Sequence, residues 1–308
     1  MVIGLDLKAA AEERAAERLA VEFDRSNEQS GTAPQVRFRS DLRVALEPRL
    51  TCGSDRMMAR PAWCVSPGED RPATSGGEDE AAVRRLLKAC VGHRHTSPLE
   101  HGLMTVHIEA PMTFWFQLTR HRFLSLDVED FGLSLSSGRY RQLDGTFYVP
   151  QPERPCFEPK GFKPMRPKLV SASEFFRSAE PMPSEHDGDG YALMQWVHRR
   201  DELEKLVGAS SRRAHEFAYG EFKRMIDAGV GREVARLVLG PASYYSGYVN
   251  GKPLTWLHFF SLRMDDPANK YPTHPQWEIE EVARGCERLF KERWPIAHAE
   301  FVAAGRTV

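Results

Sequence analysis

The chain has 308 residues, of which 41% are hydrophobic and 28% are charged, and its formal net charge at pH 7 is -1. This composition is typical of a globular protein with one large or two ordinary domains. The near-zero charge excludes a general basic surface for a nucleic acid polymer, and no apolar run reaches the roughly 20 residues that cross a membrane. Residues 1–26 are charged throughout and lack the apolar core of a signal peptide, which predicts a cytoplasmic protein.

The first part of the chain is predicted to be an appendage followed by a mixed α and β region. Residues 1–40 are expected to form an N-terminal helix and a polar linker, and residues 41–308 a single domain. Hydrophobic spacing and turn residues define the next elements. These are a strand from Asp41, a loop at 61–72, a helix at 80–91, a strand at 103–110, a helix from Pro111 to Arg122 and a strand at 146–149.

The second half is predicted to be mainly helical. Residues 151–190 are rich in proline and charge and are expected to form an excursion from the core. A helical pattern resumes at 191–207 and continues through 211–228. Further helices are predicted at 232–239, 253–262 and 275–290, with one strand at 244–249. The helix at 211–228 is expected to bury the stripe Phe217, Ala218, Phe222, Met225 and Ile226. Because strands and helices do not alternate regularly, the order predicts an α+β fold with more helix than strand.

Cations are concentrated among apolar residues between Phe114 and Tyr148. Arg120, His121 and Arg122 are consecutive, and the run 136–141 adds two serines, a glycine and two arginines. Guanidinium groups held close together repel unless an anion lies among them, and Gly138 lets a backbone N–H approach an oxyanion. The pattern favours an anionic small-molecule site. The alternative is a structural network of these arginines with Asp127, Glu129 and Asp130.

Metal and thiol chemistry receive little support. The turn His93–His101 contains ligand types, but its spacing matches no standard zinc pattern, so no metal site is predicted. The five cysteines include no CxxC pair, which favours reduced thiols. Cys90 and Cys286 lie on apolar helical stripes and are predicted to be core residues.

Two later segments carry single polar residues among apolar ones. Arg236 is either a surface arginine with a buried stem or an inward anion ligand. His258 and Arg263 are five residues apart on one predicted helix, so they do not share a face. On its own, His258 is best explained as a hydrogen-bonded core histidine.

Taken together, these residues resemble the flavin-dependent thymidylate synthase family. The family signature is Arg-His-Arg, a serine, an Asn-Glu pair and Ser-x-Arg-Tyr. Most of it is matched by Arg120-His121-Arg122, Ser125 and Ser137-Gly138-Arg139-Tyr140. Further matches are HTSPLEH at 95–101, GREVARLVLG at 231–240, VNGKPLTWLHFFSLR at 249–263 and PQWEI at 275–279. The resemblance covers roughly residues 41–300 and excludes the excursion at 151–190.

The resemblance implies an α+β fold around a mixed sheet, assembled as a homotetramer with active sites at subunit interfaces. It implies C5 methylation of a uracil nucleotide, with FAD reduced by NADPH, methylenetetrahydrofolate as carbon donor and no enzyme cysteine as nucleophile. The residues carried over to FAD are Ser97, Glu100, Arg120, His121, Arg122, Phe123, Asn250 and His258. Those carried over to the nucleotide are Gln117, Ser137, Gly138, Arg139, Arg236 and Arg263. Arg263 and His121 are the catalytic candidates.

The chain departs from the family pattern between Ser125 and Ser137, where it is longer than the usual Asn-Glu link. The insertion at 126–136, with Gly132, Ser134 and Ser136, is expected to give room and adaptable polar contacts beside the ribose. The acceptor is therefore predicted to be UMP, dUMP or both. This resembles the methylases of peptidyl-nucleoside antibiotic pathways, such as the UMP methylase of polyoxin formation. The alternatives are a housekeeping dUMP-specific synthase and a flavin- or nucleotide-binding module without catalysis.

Overall fold

A four-stranded antiparallel sheet organises the fold. The computed structural model describes residues 36–63, 80–121, 131–139, 143–151, 153–159, 161, 169–179 and 191–308. Its strands are β1 (Arg37–Arg39), β2 (Arg43–Leu46), β3 (Met104–Pro111), β4 (Phe131–Leu135), β5 (Thr146–Tyr148) and β6 (Tyr244–Gly251). The sheet order is β2-β3-β6-β4, and β1 pairs with β5 in a separate parallel ribbon.

Helices supply the larger part of the described chain. They are α1 (Asp55–Trp63), α2 (Glu80–Gly92), α3 (Met112–Leu118), α4 (Ala172–Ala179), α5 (Tyr191–Asp227), α6 (Arg232–Ala235), α7 (Pro253–Arg263), α8 (Trp277–Arg293) and α9 (Pro295–Ala303). Short 3-10 turns occupy Pro48–Leu50, Ser97–Glu100 and Arg236–Val238. The α+β class with more helix than strand is confirmed.

The core lies between one face of the sheet and helices α7 and α8. Val106 and Ile108 on β3 are buried, as the predicted alternation requires, and aromatic residues of α7 and α8 pack in the same cluster. The Trp256 indole N–H of α7 donates to the carbonyl oxygen of Met104 at 3.2 Å. This bond and the apolar burial fix α7 against the sheet, so the polar residues at the two helix ends have defined positions.

Several predicted boundaries are wrong, for local reasons. The helical pattern predicted at 191–207 and continuing through 211–228 forms one helix, α5, of 37 residues, in which Gly208 is tolerated. Phe217 is 74% exposed, whereas Phe222 is buried, so the predicted stripe is wrong at Phe217. Helix α3 ends at Leu118 instead of continuing to Arg122.

Three further elements lie where the sequence predicts a loop, an excursion from the core or a linker. Helix α1 contains Pro61 within the predicted loop, and α4 lies within the predicted excursion. Strand β1 falls in the predicted linker, since it gains its order by pairing with β5, about a hundred residues away. Residues 36–308 form one compact unit. The predicted N-terminal helix lies outside the described residues.

Candidate active site

The ends of helices α3 and α7 bring His121 and Arg263 into direct contact. Arg263 Nε donates to His121 Nε2 at 2.8 Å, and His121 Nδ1 donates to the carbonyl oxygen of Leu118 at 3.0 Å. The ring packs edge-on against Phe259, with 5.0 Å between the centroids. These contacts hold one tautomer, with the ring proton on Nδ1. Burial, together with the charge of Arg263, lowers the pKa of His121 to about 4, so the imidazole is neutral near pH 7.

Arg263 is a preorganised cation whose outer nitrogens are available. Its guanidinium uses Nε on His121, and no acceptor for its two Nη groups is found in the part of the chain that the structure describes. Burial lowers the pKa of Arg263 from its ordinary value, but an arginine remains charged throughout the physiological range. The Nη groups can therefore donate two hydrogen bonds to an oxygen that becomes negative.

Gln117 extends this group through a hydrogen-bonded chain. Gln117, near the end of α3, donates from Nε2 to Gln276 Oε1, and Gln276 Nε2 donates to Glu278 Oε2 at 2.7 Å. Glu278, at the start of α8, forms an ion pair with Arg154. The motif PQWEI at 275–279 indicates this helix, but the roles of Gln276, Glu278 and Arg154 are not foreseen by the sequence analysis.

A second group forms around the turn that follows β4. Arg139 Nε lies 3.1 Å from Glu233 Oε2, and both side chains are more than half exposed. Gly138 is buried, and a Cβ built on it would lie 3.4 Å from Arg236 Cδ. The Arg139 N–H donates to Ser137 Oγ at 3.3 Å. The structure thus brings four predicted nucleotide ligands together: Ser137, Gly138, Arg139 and Arg236.

A third group lies at the opposite end of α7. The 3-10 turn Ser97–Glu100 is anchored by buried Leu99, and Glu100 Oε2 lies 3.0 Å from Lys252 Nζ. Asn250 pairs in register with Gly132, where an added Cβ would lie 2.0 Å from Asn250 Oδ1. Gly132 therefore makes space for the Asn250 amide. Its expected role as part of a roomy ribose pocket stays a prediction; in this structure the space at Gly132 is filled by that side chain.

The first and third groups lie at opposite ends of α7. Helix α7 has 11 residues, so its ends are separated by about 16 Å. Arg120 is exposed in the turn after α3, and His258 is half-buried within α7, where burial lowers its pKa. Arg122 and Phe123 lie outside the described residues. Among the described residues of one subunit, the Arg263–His121 pair and the predicted FAD ligands at the start of α7 therefore lie apart.

The described cysteines confirm the predicted core positions. Cys90 and Cys286 are both buried, and burial raises the pKa of each thiol. Within the described ranges, no cluster of three or more His, Cys, Asp or Glu residues could hold a metal ion. No helix of the same ranges is long and apolar enough to cross a membrane.

A family comparison agrees with the chemistry of these groups. The model of the family described as thymidylate synthase complementing protein matches residues 49–296. The chain belongs to the flavin-dependent thymidylate synthase family. The family match includes every predicted site residue.

Individual bacterial members of this family are similar to the chain over most of its length. It is 29% identical to the flavin-dependent thymidylate synthase of Streptomyces coelicolor over 89% of this chain and 96% of that protein. It is 30% identical to the Streptomyces avermitilis enzyme over 87% of this chain and 94% of that protein.

A solved structure resembles the fold over nearly its whole length. The UMP/dUMP methylase PolB from Streptomyces cacaoi, crystallised with 5-Br UMP, superposes with a TM-score of 0.68 at 30% identity, covering 89% of this chain and 99% of that one. The same methylase bound to 5-Br dUMP also gives a TM-score of 0.68 and 30% identity, covering 88% of this chain and 99% of that one. PolB therefore accommodates both sugars in a fold similar to this family member.

Proposed function

We propose that this family member is a flavin-dependent methyltransferase that acts on C5 of UMP and dUMP. FAD is the proposed cofactor, NADPH the reductant and methylenetetrahydrofolate the carbon donor. Family membership and the likeness to PolB, which was crystallised with analogues of both nucleotides, support the acceptor class. A place in nucleoside antibiotic biosynthesis rests on the same likeness, and the cytoplasmic location stays a prediction.

The observation that carries this proposal is the Arg263–His121 pair. When C5 of uracil becomes nucleophilic, negative charge develops on the conjugated carbonyl oxygen. A fixed cation aimed at that oxygen stabilises the charge without having to reorganise. Arg263 meets this requirement, because His121 holds its Nε and leaves its Nη groups available. His121 acts as a neutral acceptor that orients the guanidinium, since its pKa is about 4.

The polar side chains of the third group, at the start of α7, are suitable ligands for a flavin dinucleotide. Lys252 offers a cation and Ser97 a hydroxyl to a diphosphate, while the Asn250 amide can both donate to and accept from a ring edge. Gly132 leaves the space that this amide occupies. Bound FAD would supply the hydride transfer, and these side chains would bind and orient it.

The second group fits the phosphate of the nucleotide. Arg139 and Arg236 meet at a turn with a buried glycine and a serine hydroxyl, which is a suitable set of donors for a phosphate. Glu233, the acid that pairs with Arg139, is exposed, and an exposed ion pair is weak. A phosphate can therefore replace Glu233 at little cost.

We further propose a homotetramer with active sites at subunit interfaces. Each of three predicted nucleotide ligands has an exposed apolar neighbour in sequence: Phe116 is 61%, Leu237 76% and Leu262 47% exposed. Apolar exposure beside functional residues favours a protein contact. Assembly would also bring together groups that lie at opposite ends of α7 in one subunit. Sedimentation of the native protein at several concentrations tests the tetramer.

Product analysis tests the proposed reaction. The purified protein is expected to carry or take up FAD and to show a flavin spectrum. Incubation with NADPH, methylenetetrahydrofolate and UMP or dUMP should give the 5-methyl nucleotide by mass spectrometry. A protein that binds FAD and nucleotide but yields no methylated product would instead be a binding module. Product from dUMP alone would identify a dUMP-specific synthase.

A further inference from the structure

A buried ion pair lies behind Gln117. Arg154 Nε lies 2.7 Å and Nη2 3.1 Å from the two carboxylate oxygens of Glu278, whose side chain is only 2% exposed. Burial, together with the charge of the nearby Glu278, raises the pKa of the Tyr148 hydroxyl. Burial alone would raise the pKa of Glu278, but the bonds and charge of Arg154 hold that pKa below its usual value. Glu278 is therefore a fixed, ionised acceptor.

This fixed acceptor determines how the amide of Gln276 is turned. An ionised carboxylate can only accept hydrogen bonds, so Gln276 must present its NH2 group to Glu278, and the two atoms lie 2.7 Å apart. The carbonyl oxygen of Gln276 is consequently directed away from Glu278. It accepts a hydrogen bond from the NH2 group of Gln117. The orientation of one amide thus fixes the orientation of the next.

The hydrogen bonds from Glu278 through Gln276 to Gln117 form a relay. This relay leaves the carbonyl oxygen of Gln117 available as a hydrogen-bond acceptor. The Nε2 of Gln117 is used on Gln276, and its Oε1 has no donor within the ranges that the structure describes. Gln117 is half-buried and lies four residues before His121, the residue that holds Arg263. The site would therefore present a donor, Arg263 at the end of α7, and a fixed acceptor, Gln117 near the end of α3.

We propose that Gln276 and Glu278 are positioning residues that orient the Gln117 amide, so that its carbonyl oxygen accepts a hydrogen bond from the nucleotide. The donors of a uracil nucleotide are its ribose hydroxyls and N3–H. This inference rests on the proposed function, because Gln117 must face the acceptor nucleotide. Without the relay, the amide could turn and present NH2, and the nucleotide donor would lose its partner.

Gln276→Met is the sharpest variant, because Gln276 is exposed and the Arg154–Glu278 ion pair stays intact. Loss of one neutral hydrogen bond should raise KM about three- to tenfold for a nucleotide that carries the relevant donor. The kcat value, flavin content and thermal midpoint should stay close to those of the parent. A merely structural role would instead change flavin content or thermal midpoint, and would affect all nucleotides alike.

Four nucleotides identify the donor: UMP, dUMP, the 3′-deoxy analogue of UMP and 3-methyl-UMP. The KM ratio of variant to parent should fall to about one for the analogue that lacks the donor read by Gln117. An unchanged KM for all four, or the same rise for all four, would overturn the inference. Absence of methyl transfer by the parent protein would overturn the proposed function instead, so the two failures are distinguishable.

Glu278→Gln is a second variant for the same KM measurements, and Glu280→Gln is its matched control. An amide in place of the Glu278 carboxylate could accept or donate, so the relay would lose its fixed direction, and the same analogue-dependent rise in KM is expected. Glu280 lies on the same helix but bonds to Arg284 and the Asp265 N–H. The Glu280 variant should therefore leave the KM ratios unchanged; a rise equal to that of Glu278→Gln would contradict the relay.

Discussion

Arg263 and Arg139 are both predicted nucleotide ligands, but their surroundings differ in how much they are fixed. Arg263 is partly buried and bonded to a neutral histidine whose own tautomer is set by a backbone carbonyl. Arg139 is 54% exposed and pairs with Glu233, which is 60% exposed. Such surface pairs contribute only about 0–1 kcal/mol. The comparison indicates that Arg263, the proposed catalytic cation, is preorganised. Arg139, the proposed phosphate ligand, can exchange its partner Glu233 for a phosphate.

Removing the preorganised cation should have the largest effect. Arg263→Gln is expected to lower kcat by about 100- to 1,000-fold, the loss typical for a donor that stabilises developing charge. Steady-state kinetics with saturating nucleotide measure this effect. Arg224→Gln, which removes a half-buried arginine paired with Glu221 on α5, is the control. A loss below tenfold in a flavin-loaded Arg263 variant would show that the fixed cation is not needed for chemistry.

Removing the exchangeable cation should affect binding instead. Arg139→Ala is expected to weaken nucleotide affinity by about 1.5–3 kcal/mol, roughly 10- to 150-fold, because a charge-assisted contact is lost. Flavin content should stay nearly intact. Titration of the flavin spectrum with nucleotide gives the affinity.

The partner acid sharpens this prediction. Glu233→Gln should leave nucleotide affinity unchanged or slightly improved, since Glu233 competes with phosphate for Arg139. Unchanged affinity in the Arg139 variant, or a large loss in the Glu233 variant, would place the phosphate elsewhere.

Lowering the pH should reduce the contribution of buried His121 to the free energy of unfolding. The folded-state pKa of His121, about 4, lies below its ordinary value of 6.5, so the unfolded chain binds a proton before the folded chain does. The stability contribution is therefore complete above about pH 6.5 and is lost as pH falls toward 4. Between pH 7 and pH 5 it should decline by roughly 2 kcal/mol.

Urea unfolding at the two pH values measures this loss. His121→Gln is expected to show a correspondingly smaller decline, because glutamine does not titrate. An equal decline in both proteins would mean that other groups account for the acid sensitivity.

The smallest predicted effect concerns the close approach of β4 and β6. In Gly132→Ala, the new Cβ would meet Asn250 Oδ1, so the amide must turn away from its position. Loss of one hydrogen bond from this amide should weaken FAD binding by a few-fold to about tenfold. Gly220→Ala is the control, since a Cβ there meets nothing within 4 Å. Fluorescence titration with FAD should separate the two variants; equal affinities would remove Asn250 from the cofactor site.

The fold is predictable from the sequence wherever local periodicity is strong. The alternation at 103–110 and the stripe at 80–91 correspond to β3 and α2. Helix α9 is not predicted, because its sequence, PIAHAEFVA, is mostly apolar and shows no distinct helical stripe. Strand β1 is not predicted either, because its order depends on a distant partner, which local sequence cannot show.

The site is predictable as a set of residues but not as an arrangement. His121 and Arg263 are 142 positions apart, and only the resemblance to a family indicates that both are functional. The relay from Arg154 to Gln117 joins three separate segments, so no local motif contains it. The motif at 275–279 is the one sequence signal for this relay. The sequence alone assigns no role to its residues Gln276 and Glu278.

Release of tritium from C5 tests the central claim most directly. Methylation replaces the C5 hydrogen of uracil, so every turnover must release it. UMP and dUMP labelled with tritium at C5 are incubated with the flavin-loaded protein, NADPH and methylenetetrahydrofolate. The account predicts release of tritium to water from both nucleotides, with a preference below about 100-fold, because a site that only tolerates an added hydroxyl discriminates weakly. Release from neither nucleotide would contradict uracil C5 methylation by this protein.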